Sequence, residues 1–161
     1  MEITLNDLTI NPECVVLDEL LQDWNWAMPE PMRPVLLTAL GDVFAQGENG
    51  AVYFVDVIEG HIRMVAEDGA AFEELLSDAE FVTDHFFPAR VLELRDAGIE
   101  LEPNEVYSHQ QPLVLGGSDE LENYETSDVS IYLSILGQIH EQVKDLPEGT
   151  VISDVEIEDI E

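Results

Sequence analysis

Three observations predict a single α+β domain in which helices pack against an antiparallel meander. Short apolar, β-branched runs broken by glycines fill residues 35–66, apolar residues at helical spacing flank them on both sides, and Asn49-Gly50 lies between two of the runs. A chain of 161 residues is near the usual size of one domain, large enough to bury about 70% of its unfolded surface. Hydrophobic residues make up 45% of it, so an ordinary core is expected despite the acidity described below.

Taken in order, Asn11, Pro12 and Glu13 have the chemistry of a helix start: a capping side chain, a proline at the first helical position and an acid in the first turn. Leu17, Leu20, Leu21 and Trp24 then recur at helical spacing, which predicts an amphipathic N-terminal helix with Asp18, Glu19 and Asp23 in water. Residues 28–34 hold three prolines and read as an extended connection, neither strand nor helix. Strands are expected at residues 35–40, 43–45, 51–57 and 61–66. Asn49 and Gly50 both tolerate the positive φ of a tight hairpin turn.

From Gly69 the apolar period becomes helical through Phe72, Leu75 and Leu76, with Ser77 or Asp78 able to cap a second start before Phe81, Val82 and Phe86. Pro88 opens a further helix that Gly98 is placed to end. Residues 99–125, interrupted by Pro103, Pro112 and Gly116-Gly117, suit two short strands and a loop. The strongest helical stripe is Val129, Leu133, Leu136, Ile139 or His140, and Val143; Ser127 can cap this long C-terminal helix, and Ile131 and Ile135 suggest cover on more than one side. The expected division is therefore residues 1–150 as one domain and 151–161 as a mobile acidic tail.

Charge narrows the partners. Thirty-six acidic residues against five basic ones give a formal charge of −31. A protein gripping duplex DNA neutralises about 6 to 10 phosphates, which Arg33, Arg63, Arg90, Arg95 and Lys144 cannot supply. Nucleic acid and anionic membrane are excluded as partners, whereas a basic protein is attracted. Solubility in a high-salt cytoplasm is the competing explanation of the same charge. Calcium is disfavoured because no loop has the alternating-oxygen spacing of a calcium site.

Catalytic patterns fail on spacing. His140-Glu141 begins like a zinc-protease motif, but Lys144 occupies the place of the second histidine. Neither a C-x-x-C pair nor a G-x-S-x-G elbow occurs, and Gly116-Gly117-Ser118 reads as a tight turn. His61, His85, His109 and His140 are scattered and read as structural, Cys14 as a small core residue without a nearby base, and Trp24 as core; Trp26 is open between core and interface. No cofactor is implied. The opening residues lack a secretory leader and no stretch approaches the roughly 20 apolar residues of a membrane helix, so the cytoplasm is the expected location.

The motif order Trp24-Asn25-Trp26, Gly41-Asp42, Leu115-Gly116-Gly117, Ser134-Ile135-Leu136-Gly137-Gln138-Ile139-His140 and Asp145-Leu146-Pro147-Glu148-Gly149-Thr150 resembles a bacterial family once known only as a domain of unknown function: the C-terminal domain of type VI secretion DNase-immunity (Tdi-type) proteins. The resemblance is strongest over residues 80–150; upstream, some relatives carry a longer N-terminal region. It implies a non-catalytic α+β immunity protein that binds a cognate toxin in the cytoplasm. The shared positions are mostly glycines and apolar residues, so no contact residue is carried over. Charge alone nominates the partner-binding acids: Glu73, Glu74, Asp78, Glu80 and Asp84 on one face, Asp119, Glu120 and Glu122 on a loop, with the acidic tail as a third choice.

Overall fold

A computed structural model describes residues 4–10 and 19–146. Its elements run α1 (Leu5–Leu8), β1 (Thr9–Ile10), a 3-10 helix (Gln22–Ala27), β2 (Met32–Thr38), β3 (Val43–Gly47), β4 (Val52–Asp56), β5 (His61–Ala66), α2 (Gly69–Leu75), α3 (Ala79–Phe86), α4 (Pro88–Asp96), β6 (Glu105–His109), two 3-10 turns (Leu113–Leu115 and Leu121–Asn123), β7 (Tyr124–Asp128) and α5 (Val129–Val143). Strands β1 to β5 form one antiparallel sheet in sequence order, and β6 pairs with β7 as a separate ribbon. The α+β class is as expected.

The central strands are apolar on both faces because both faces are covered. Alternate residues of β3 point opposite ways: Phe44 joins Val52, Phe54, Phe72, Phe86, Val91 and Leu94 under α2, α3 and α4. Val43 and Ala45 join Val55, Val57, Trp24, Leu133 and Leu136 under α5 and the 3-10 helix. This three-layer arrangement turns the half-buried alternation of an open meander into continuous apolar runs.

Several local expectations meet a physical override. Strand β2 begins inside the proline-rich stretch. Pro34 pairs with Ala45 just before a bulge, and β1 reaches only Leu37 and Thr38, so the early part of β2 is hydrogen-bonded on one side and tolerates a residue without a donor. In the β3–β4 turn only Gly50 adopts positive φ; Asn49 instead accepts the Ala51 amide through its side chain. Ser127 belongs to β7, where it pairs with Val106 and shares a hydroxyl hydrogen bond with Ser108, leaving Asp128 to cap α5 by accepting from Ser130 N and Ile131 N. Ile131 is 46% exposed, so it does not widen the buried stripe of α5.

Other signals hold. Asp78 caps α3, Pro88 opens α4, and after α4 the Ile99 amide returns to the Leu94 carbonyl across Gly98. The Asn11 helix start, Cys14 and the tail after residue 150 lie outside the described residues, as does Leu17. Of the expected N-terminal stripe, Leu20, Leu21 and Trp24 are buried, with Trp24 in a 3-10 helix. Among the described residues no helix is long and apolar enough to cross a membrane.

A polar cleft under an exposed phenylalanine

The nominated acids occupy two separate regions. Glu73, Glu74, Asp78, Glu80 and Asp84 are all exposed on α2, α3 and the turn between them. Glu74 and Asp78 border a shallow groove beside β5 together with Met64, which is 56% exposed. Asp78 is also structural, since its carboxylate accepts from Glu80 N and Phe81 N. Glu120 and Glu122 are exposed near the 3-10 turn before β7. Asp119 sits elsewhere. Its Oδ1 accepts from the Tyr124 hydroxyl at 2.6 Å and His109 Nε2 at 3.1 Å, and its Oδ2 from Arg90 at 3.3 Å. Partial burial works against the charge, but the Tyr124, His109 and Arg90 contacts hold the carboxyl below its usual range.

Asp119 lines one wall of a cleft of about 220 Å³ with Leu40, Asp42, Asp56, Ile58, Glu59, Phe87, Arg90, Leu113 and Tyr124. Its floor is the turn between β4 and β5, clamped from two sides: Val57 N donates to Asp42 Oδ1 at 3.0 Å, and Val57 O is 2.9 Å from His140 Nε2. Asp56 accepts the Ile58 and Glu59 amides and so shapes the same turn. At the rim, Phe87 is held at φ 51 between α3 and α4 and stays 41% exposed. Bulky side chains rarely adopt this left-handed region.

Electrostatically the cleft is negative. Four carboxylates face one guanidinium, and Arg90 is already engaged by Glu93 and Asp119 while lying 5.5 Å over the Tyr124 ring. Asp42 is 1% exposed. Burial, then the neighbouring Asp56 charge, push its carboxyl well above the usual range, offset only in part by the Val57 amide and Arg63. Burial, then the bond to Asp119, raise the Tyr124 hydroxyl in the same way. Among the described residues no three His, Cys, Asp or Glu side chains are grouped to hold a metal.

The motifs behind the resemblance mostly build the scaffold. Trp24 Nε1 donates to Leu133 O at 2.9 Å, Trp26 Nε1 to Gly137 O at 3.2 Å, and Ser134 to the Asp23 carboxylate. A Cβ on Gly137 would lie 2.6 Å from the Asp23 carbonyl oxygen, so only glycine lets α5 approach the 3-10 helix this closely. Trp24 is core, as expected, and Trp26 is half-buried with Lys144 over its ring at 5.2 Å. His85, His109 and His140 are buried and hydrogen-bonded, whereas His61 is exposed. Sequence reasoning missed Asp42, Asp56, Glu59, Arg90, Phe87 and Tyr124 as a group. Gly41-Asp42 was the one local signal.

Comparison with known proteins finds a family similarity over part of this helix-covered sheet. Residues 66–140 match the family described as "T6SS immunity protein Tdi1, C-terminal". The resemblance read from the motifs is thus shown over that segment, which begins earlier and ends sooner than residues 80–150. The crystal structure of Atu4351 from Agrobacterium tumefaciens is similar in fold, with a TM-score of 0.55 and 16% sequence identity over 74% of this chain. The match spans 61% of that protein, less than two thirds of its length. No curated protein matches the chain.

Proposed function

We propose that this protein is a cytoplasmic immunity protein that binds and neutralises a basic toxin, a secreted nuclease effector, without catalysis of its own. The match of residues 66–140 to a type VI immunity family carries the reading, and the formal charge of −31 supports its electrostatic form. Carboxylates stand where a nuclease expects phosphates. The acids Glu73, Glu74, Asp78, Glu80 and Asp84, with Asp119, Glu120 and Glu122, steer the approach. An apolar or aromatic anchor supplies most of the affinity, because rim charges act mainly on the association rate.

The test is co-purification with the product of the adjacent gene, followed by association kinetics at several salt concentrations. Reversing Glu73, Glu74, Glu80, Asp84, Glu120 and Glu122 to lysine, which spares the structural Asp78 and Asp119, is expected to slow association by roughly 10- to 1000-fold at low salt. Unchanged rates and salt dependence would remove the steering mechanism. Failure of the neighbouring gene product to bind at all would remove the immunity reading.

A further inference from the structure

Strand β5 ends the sheet, and among the described residues β4 is its one pairing neighbour. Its outer side therefore presents backbone donors and acceptors that can template a further strand. The opposite edge is protected. There β1 has two residues, and the stretch of β2 beyond it carries Pro34 and a bulge. By contrast β5 has six residues and no proline, and His61 to Met64 keep unbroken register with β4. Its single irregularity lies at Val65, and Met64 is 56% exposed.

Beside this edge, α2 leaves a groove of about 590 Å³. Val65, Ala71 and Leu75 also pack on the core and give the groove an apolar floor, while the exposed acids Glu67, Glu74 and Asp78 rim it. An open strand edge running beside a helix over an apolar floor suits an added peptide strand: main-chain bonds supply affinity, and the floor selects alternate side chains. Charge decides the occupant. None of the three acids has an ion-pair partner among the described residues. A second copy paired edge to edge would bring the same acids face to face, so a basic segment is favoured over self-association.

We propose that the β5 edge receives an extended basic segment of a partner protein as an added strand. The segment pairs its main chain with β5, lays an apolar side chain on Val65, Ala71 and Leu75, and sets lysine or arginine against Glu67, Glu74 and Asp78. The proposal rests on the toxin-binding reading for the source of this segment and supplies the apolar anchor which that reading requires.

The experiment titrates the 15N-labelled full-length chain with the peptide acetyl-Lys-Val-Lys-Val-Lys-Val-amide. Two backbone N-methylated versions run in parallel, one blocked at the lysine amides and the other at the valine amides. Successive amides of a strand point to opposite edges, so a strand added to β5 loses binding in one version and keeps it in the other. The expected result also includes saturable shifts confined to β5 and α2, and slowed hydrogen exchange at the β5 amides that do not bond β4. Glu67→Lys combined with Glu74→Lys weakens binding by about tenfold or more, because like charges then meet at the rim. The charge-matched control, Glu125→Lys with Glu141→Lys, retains it. Shifts scattered over the acidic surface, the same response to both methylated versions, or equal weakening by the control would overturn the proposal. So would concentration-dependent protection of β5 in the free protein, which would assign the edge to a second copy. In complex with the product of the adjacent gene, β5 is expected to become protected. Protection elsewhere, with β5 still exchanging freely, would overturn the added strand while leaving the immunity function standing.

Discussion

Asp42 holds two opposed roles in one side chain. Oδ1 closes the turn after β4 by accepting Val57 N, while burial and the charge of Asp56 disfavour ionisation. The charges of Asp56 and of Arg63 from β5 act on the group, Tyr132 from α5 feels its charge in turn, and Glu59, Arg90 from α4 and Asp119 from the loop before β7 line the same cleft. The Asp42 carboxyl is raised well above the ordinary carboxylate range, so between that range and the raised value the folded chain binds more protons than the unfolded chain. Stability from this group is therefore complete below the ordinary carboxylate range and is lost as pH rises through the window. Asp42→Asn removes that loss: urea unfolding at pH 5 and pH 8 should show a shallower fall for the variant than for the parent, with its relative gain at the alkaline end. Parallel pH profiles for the two proteins would mean that Asp42 titrates normally. The residue was visible in the sequence only as half of a Gly-Asp pair, because what raises its carboxyl comes from β4, β5 and the turn between them.

At the level of elements, α5 shows how a periodic signal and a close contact divide the work. The apolar stripe made the helix legible, with Val129, Leu133, Leu136 and Ile139 all buried. Its seat on the 3-10 helix depends instead on Gly137, whose added Cβ would meet the Asp23 backbone at 2.6 Å. Gly137→Ala is expected to destabilise the protein by about 1 to 3 kcal/mol through overpacking, read as a lower urea midpoint by fluorescence of Trp24 and Trp26. Helix α3 offers a complementary test, because Asp78 is at once a cap and a nominated contact. Asp78→Ala should cost about 1 kcal/mol, whereas Asp78→Asn keeps the cap and changes only the charge. Equal stability losses in thermal unfolding would mean the cap contributes nothing. Strand β1 escaped prediction because two residues carry no period, and Phe87 did so because a residue before proline is expected to be extended.

For the whole molecule, charge is the dominant variable. A formal charge of −31 on 161 residues repels itself when the chain is compact. Raising sodium chloride from 50 mM to 1 M should therefore raise the melting temperature, with the largest gain at low salt, where screening changes most. A chain that stayed unfolded until salt reached molar levels would favour adaptation to a saline cytoplasm over toxin steering. Exposed acids lie along most of the described chain, from Glu19, Glu48 and Glu59 through α2, α3 and α4 to Glu100, Glu102, the loop before β7, Glu125 and the end of α5, so sequence composition predicts the size of this salt response better than any single ion pair does. Among the described residues, surface ion pairs such as Arg95 with Asp7 at 3.1 Å contribute little by comparison.

The sequence by itself determined the class of fold, the order of its helices and strands from β2 onward, and the sign of its field, because periodicity, turn chemistry and net charge are local or additive properties of the chain. Only the tertiary structure decided that the sheet is covered on both faces, and that Asp42, Asp56, Phe87, Arg90, Asp119 and Tyr124 line one cleft. Those residues lie on different elements, and their chemistry depends on distance and burial, which no spacing along a single segment encodes.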